Sequence, residues 1–323
     1  MAVYTEVTDD ALRTFLDDYE LGDLVAFRGI AEGVENSNYA LKTSVGDFIL
    51  TLYEKRVDPA DLPFFLGLMR HLAVRGVSCP RPVAGRDGAA LRMLAGRHAA
   101  ITTFLPGVWP RTVRLAHCGP VGAALAALHL AGADYPATRP NALGPDGWPP
   151  LLARALADGG AAAEALSPGL AEELHAALAR ILAAWPERLP RGQIHADLFP
   201  DNVFFLDGQV SGLIDFYFAA TDFLAYDVAV CLNAWCFESD LSFNVTKARA
   251  LLAAYAARRT LSGAELRALP VLAQGAAIRF ALTRLYDWIN TPPGALVTPK
   301  DPRDYVRRLR FHLGASDVAA YGL

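Results

Sequence analysis

The chain has 323 residues, enough for one large domain or two ordinary ones, with a sizeable core in either case. Charged residues make up 20% and the formal net charge is -4, which argues against nucleic-acid binding or a polybasic membrane patch and favours a small-molecule partner. The opening MAVYTEVTDDALRTFLDDY lacks the basic start and apolar core of a signal peptide, so retention in the cytoplasm is expected.

That opening reads as an acidic helix capped near Thr8. From Phe27, VAFRGIAEGVENSNYALKTSVGDFILTLYEKR alternates apolar residues around two Gly-containing turns and predicts three successive antiparallel strands. DPADLPFFLGLMRHLAVRG follows, with Leu62, Phe65, Leu66, Met69 and Leu72 on helical spacing and Gly76 as a stop, giving one helix on that sheet. SCPRPV and RHAAITTF then supply an extended entry and a closing strand around the turn DGAAL, for five strands in all.

At FLPGVWP, residues 104 to 110, Pro and Gly break the pattern and the composition shifts to Ala- and Leu-rich helical segments. The boundary is set there, with residues 1–104 as one lobe and 105–323 as the other. Helices are predicted over 112–131, 150–157, 168–185, 245–258, 263–290 and 301–312, with room for breaks in the third and fifth. The uncharged run Leu115 to Ala133 contains Pro120, three glycines and two histidines, and reads as a buried helix, not a membrane span. Cys79, Cys118, Cys231 and Cys236 fit no metal or redox spacing and are expected to be buried thiols.

One β-like stretch interrupts the helical half: QIHADLFPDNVFFLDGQVSGLIDF, residues 193 to 216. Asp207-Gly208 marks a hairpin turn. His195, Asp197 and Asn202 stand in the order H-x-D-x-x-x-x-N, and Asp215 follows in LIDF after the hairpin. This is the spacing of a phosphotransferase catalytic loop followed by a metal-binding strand end. Phosphoryl transfer needs a carboxylate beside the acceptor hydroxyl and oxygen ligands for Mg2+ near the nucleotide phosphates. Asp197 supplies the first, and Asn202 and Asp215 the second. A plain hairpin around a satisfied core histidine would leave those three residues without a reason.

On these residues the chain resembles the aminoglycoside phosphotransferase-like kinases. IHADLFPDNVFF and GLIDF look like that family's loop and metal motifs, FLPG like its interlobe hinge, and LAALHLAG like its helix with a Leu-His pair. Longer strings, GIAEGVENSNYAL, FILTLYEKRVDPADLPFFLGLM, IDFYFAATDFLAYDVAVCLNAWCFE and RFALTRLYDWINTPPGALVTPKDP, resemble the homoserine kinases of this kinase-like type. The resemblance implies an α+β, two-lobed protein-kinase-like fold: a small N-terminal antiparallel sheet lobe with one helix and a larger, mainly helical C-terminal lobe. It implies ATP and Mg2+ as cofactors and the side-chain hydroxyl of homoserine as acceptor, in threonine biosynthesis. Choline-like and aminoglycoside acceptors, or an inactive binding module of the same fold, stand as the alternatives.

Under that resemblance His195 braces the loop, and Asp227 caps its helix or braces the same loop. Gly33, Asn36, Ser37 and Asn38, between the first two strands, are the candidates for contact with the phosphates, and Thr102, Thr103, Phe104 and Leu105 offer hinge backbone to the adenine. Thr51 stands where kinases of this kind commonly carry a basic phosphate-binding residue, so Lys42, Lys55 or Arg56 is left to reach the phosphates, or metal ions and loop amides suffice. For the acceptor, Arg279 in GAAIRFALT is the candidate carboxylate clamp, with Asn233 and Trp235 lining the cleft, while Arg284 is expected to pair with Asp287 along its helix. Asp222 is expected in a loop.

Overall fold

The computed structural model describes residues 4–31, 36–54, 57–157, 159–291 and 298–323. Helix α1, Asp9–Leu16, starts where Thr8 accepts a hydrogen bond from the Ala11 amide. Strands β1, Leu24–Gly29, β2, Ser37–Thr43, and β3, Gly46–Leu52, form the expected antiparallel ribbon. Helix α2, Leu62–Val74, buries Leu62, Phe65, Leu66, Met69 and Leu72 as their spacing requires.

The fifth strand is not drawn from SCPRPV. It is β4, Arg92–Leu94, which hairpins onto β5, Arg97–Thr103, while Pro82 makes only an isolated bridge to Thr102. Two prolines in SCPRPV remove the amides a ladder would need. The sheet order is β1-β2-β3-β5-β4. Its alternation separates two environments: Tyr39, Leu41, Leu50, Leu52, Ala99 and Ile101 pack with α1 on one face. Tyr53 and Ala100 face the other way, into a core shared with α2 and the helical half. The small lobe thus carries two helices, α1 and α2.

Beyond the hinge lie α3, Leu115–Ala131, α4, Trp148–Ala157, α5, Gly160–Leu166, and α6, Leu170–Ala184. The uncharged α3 is buried against α8, Val245–Ala256, so closely that a methyl on Gly122 would meet the Leu251 carbonyl. Among the described residues no helix is long and apolar enough to cross a membrane, and all four cysteines are free and buried. Helix α9, Gly263–Asn290, runs unbroken through Pro270 from a Ser262–Glu265 capping box, and packs on α7, Leu224–Trp235, and α10, Arg303–Gly314.

Four short strands complete the helical half. β6, Arg191–Ile194, pairs with β9, Ala220–Phe223, and β7, Val203–Leu206, pairs with β8, Gln209–Leu213. Asp222 therefore lies in a strand and not in a loop, its carboxylate bonded to the Phe223 amide and the Asn141 side chain. The β7–β8 turn has left-handed backbone at both Asp207 (φ 51°) and Gly208 (φ 76°), the pairing a two-residue hairpin loop favours.

Candidate active site

The hairpin decides the geometry. Val203 pairs with Leu213, so the residues just outside it, Asn202 and Ile214, are neighbours, and the Ile214 amide donates to the Asn202 carbonyl at 3.0 Å. Asp215 follows directly, with left-handed backbone (φ 64°) that turns the chain out of the strand. Residues far apart in sequence thus arrive together. The Asn202 side-chain nitrogen donates to the Asp197 carbonyl at 2.8 Å and to its carboxylate at 3.1 Å. Both bonds use nitrogen, so neither uses the side-chain carbonyl oxygen, the atom a hard cation prefers.

The turn before Asp197 is clamped from several sides. Ala196 adopts φ 62°, a left-handed conformation costing an alanine roughly 1–2 kcal/mol. Its N–H and that of His195 donate to the two oxygens of the Asp227 carboxylate, at 2.8 and 2.7 Å. Its carbonyl accepts from Arg279 Nη1, and Arg279 Nη2 lies 3.8 Å from Asp197 Oδ1. The Leu198 carbonyl accepts the Trp235 indole N–H at 2.7 Å. The Asp197 amide donates to His195 Nδ1 at 3.3 Å, which leaves Nε2–H to donate to the Ile214 carbonyl at 2.9 Å. His195 is therefore a neutral strut between loop and hairpin, and burial depresses its pKa.

Asp227 is fully buried, which by itself would raise its pKa. The hydrogen bond from His129 Nε2 at 3.1 Å, together with His195 and its amide, overcomes that cost and holds the carboxylate below the ordinary value. His129 Nδ1 in turn meets Tyr255 Oη at 2.8 Å, and Tyr255 accepts from Arg259, which is paired with Glu265 at 2.8 Å. A buried polar chain thus connects the start of α9 to the catalytic turn. His129 belongs to the Leu-His pair read in the sequence, but nothing local assigns its partner, which lies 98 residues away.

On the acceptor side the structure redistributes the expected roles. Arg279 is 1% exposed, donates to the Ala196 carbonyl and stands 3.8 Å from Asp197, so it braces the loop where a substrate clamp was expected. Asn233 and Trp235 are fully buried and do not line the cleft. The Asn233 amide donates to the Ala229 and Ala273 carbonyls, and Trp235 braces Leu198, because α7 buries that face against α9. Arg284 reaches Asp304, in the first turn of α10, at 3.6 Å and the carbonyl of Asp301, just before that helix, at 3.3 Å.

On the nucleotide side Gly33, Lys55 and Arg56 lie outside the described residues. Ser37 is turned away from the cleft. Its hydroxyl accepts from the Tyr4 and Thr5 amides and donates to Glu54, on the face shared with Tyr39. The two-residue period puts Asn38 and Thr51 on the opposite face, where Thr51 Oγ1 donates to Asn38 Oδ1 at 2.7 Å. Asn36 is buried and accepts from the Glu54 amide at 3.2 Å. Tyr53 and Tyr217 meet through their hydroxyls at 3.1 Å close to Asp215. Burial raises both phenols, Tyr217 to about 12, so they remain neutral donors. Lys42 is four residues further along β2 than Asn38, roughly 13 Å away at strand rise.

At the hinge, Thr102 is buried, Thr103 is bonded to the Arg81 backbone, and the Phe104 amide approaches the Asp47 carbonyl at 3.4 Å. Leu105 rests on Gly212 of the hairpin, and Val108 exchanges both backbone hydrogen bonds with Phe205.

Residues 26–261 match the model of the phosphotransferase enzyme family. The sequence is 71% identical to a homoserine kinase of Granulibacter bethesdensis, with 100% of each chain covered. Among solved structures, an amicoumacin kinase in complex with AMP-PNP, Ca2+ and Ami superposes with a TM-score of 0.68 at 14% identity, covering 96% of this chain and 94% of that one. A choline kinase of Cryptosporidium parvum gives 0.67 at 14% identity, covering 95% and 94%. At such identities the likeness concerns the fold.

Proposed function

The chain belongs to the phosphotransferase enzyme family, and from that premise we propose that it transfers the terminal phosphoryl group of ATP to the side-chain hydroxyl of L-homoserine, giving O-phospho-L-homoserine. The observation that carries the reading is the meeting of Asp197, Asn202 and Asp215 around one hairpin, in a chain 71% identical end to end to a homoserine kinase. Asp197 orients the acceptor hydroxyl and takes its proton late, since positioning outweighs base strength in a loose transition state. Asn202 offers an amide oxygen and Asp215 a carboxylate oxygen, which fit Mg2+; the cation takes few ligands from protein and the rest from phosphates and water. When bound, it neutralises charge on the phosphate oxygens.

Residues 1–104 form the nucleotide lobe in this reading, with Asn36 and Asn38 at the start of β2 toward the phosphates. The hinge at Thr102–Leu105 borders the adenine, and residues 105–323 bind the acceptor. Four free, buried thiols suit a reducing compartment such as the cytoplasm. An assay coupled to ADP release, run with homoserine, serine, choline and kanamycin, tests the proposal. Homoserine is expected to turn over best. Good turnover of choline or kanamycin without homoserine would overturn it, and no turnover with any alcohol would favour a binding module.

A further inference from the structure

Behind the catalytic loop, an aromatic trio joins three elements. Phe199 of the loop meets Phe280 of α9 at 4.8 Å between ring centroids, and Phe280 meets Tyr305 of α10 at 5.1 Å. Cations surround the trio. The Arg279 guanidinium stands 4.3 Å from the Phe280 ring, Arg284 4.5 Å and Arg308 4.6 Å from the Tyr305 ring, and the Lys300 ammonium 5.9 Å from Phe199.

Among the described residues, the carboxylates beside these cations pair with them only loosely. Asp197 is 3.8 Å from Arg279, Asp304 is 3.6 Å from Arg284 and Asp201 is 3.7 Å from Lys300, all beyond hydrogen-bonding distance. Arg284 and Arg308 each donate to one backbone carbonyl, of Asp301 and Asn233 respectively. The Tyr305 hydroxyl and the Nε atoms of Arg308 and Arg279 are buried without a hydrogen-bond partner among the described residues. Buried donors of this kind are costly unless an acceptor arrives, and two guanidiniums on one ring repel each other until an anion joins them. Arg279, stacked on Phe280, stands 3.8 Å from Asp197, and Phe280 leads on to Tyr305, so the cluster borders the reacting carboxylate. Burial, with Arg308 nearby, draws the Arg284 pKa down.

We propose that Arg284 and Arg308, stacked on Tyr305, form the subsite that binds the α-carboxylate of the acceptor amino acid and turns its hydroxyl toward Asp197. The inference rests on the homoserine reading and adds what selects the acceptor. Planar guanidiniums pair with a carboxylate through two parallel N–H groups, which fixes orientation as well as affinity. The same cations repel quaternary ammonium or polyamine acceptors.

The test compares homoserine with 3-aminopropan-1-ol, which is homoserine without its carboxylate, in wild type, Arg284→Ala and Arg308→Ala. Calorimetry with AMP-PNP present reads binding, and ADP release reads kcat/KM. Each variant is expected to weaken homoserine by about 10–100-fold, the range for a lost charge-assisted hydrogen bond, largely through KM. Affinity for AMP-PNP and for 3-aminopropan-1-ol should change less than about 3-fold, and Arg→Lys at either site should restore part of the loss. Equal losses for both acceptors, or loss of nucleotide affinity, would indicate a merely structural role and overturn the subsite alone. Unchanged homoserine affinity would do the same. A wild-type enzyme idle with homoserine overturns the acceptor reading and this subsite with it.

Discussion

At the catalytic turn, Ala196 gives its N–H to a buried carboxylate and its C=O to a buried guanidinium, and the neighbouring Leu198 carbonyl is taken by an indole. In β3, Thr51 is tied to Asn38 by a neutral hydrogen bond and flanked by two neutral phenols. Charged, buried hydrogen bonds hold a strained backbone in one geometry, and losing one partner leaves an expensive orphan. Neutral hydroxyl contacts are weaker and reform easily. The turn at Ala196, on the proposed acceptor side, is thus held in one geometry, while the contacts around Thr51, on the proposed nucleotide side, can break and reform at little cost.

The contrast can be broken or sharpened by substitution. Asp197→Asn should lower turnover by about 10³-fold, the middle of the range for loss of a positioned general base, while AMP-PNP affinity by calorimetry stays within about 2-fold. Undiminished turnover would remove Asp197 from its role. Arg279→Ala should cost about 10²-fold in kcat, the scale of a small misplacement of a reacting group, with the KM for ATP little changed. A fully active Arg279→Ala enzyme would show that the clamp is dispensable and the contrast empty.

On the other side the effects should be smaller. Thr51→Val removes a single neutral hydrogen bond, worth about 1 kcal/mol, and should raise the KM for ATP only about 3–10-fold. Thr51→Lys should lower the melting temperature without raising kcat, since its ammonium would be buried beside the Tyr53–Tyr217 pair; a faster enzyme would refute this account of the strand.

Acid should expose the same asymmetry most gently. His195 has a folded-state pKa depressed below the ordinary value near 6.5, so the unfolded chain takes the proton first. Its contribution to stability is complete above about pH 6.5 and is lost as pH falls. His312, buried in the same half and lowered to about 3, acts in the same direction. Asp227, also depressed, adds its own loss below about pH 4. Denaturant titrations at pH 7 and pH 5 should show the decline, with a slope of about 1.4 kcal/mol per pH unit for each proton taken up, and His195→Asn should flatten it.

Much of this was legible because it is local. The α2 stripe and the Asp207-Gly208 turn follow from periods of 3.6 and 2 and from one hairpin loop, whereas the register that seats Ile214 beside Asn202 also needs a one-residue shift between Phe204 and Phe205. The fifth strand was misread because the two prolines of SCPRPV, which cannot donate to a ladder, were given too little weight, and the three-residue β4 is too short to carry a clear alternation of its own. Roles for Arg279 and Trp235 were misjudged for a different reason. Each contacts backbone carbonyls of another element, at Ala196 and Leu198, and helical spacing reports only neighbours at three and four residues. Ser37 was placed among phosphate-binding candidates by composition, whereas strand alternation sends it to the far face of the sheet.

The 28-residue helix α9 touches the catalytic turn twice. Glu265, in its first turn, ends the chain Arg259–Tyr255–His129–Asp227 that grips the amide side of Ala196, and Arg279, about 21 Å further along the axis, grips the carbonyl side directly. Two points of one helix therefore act on the two flanks of a single residue. A change in the course of α9 at Pro270, the position where an interior proline weakens the backbone ladder, would load those flanks unequally and twist the peptide that carries the proposed catalytic Asp197.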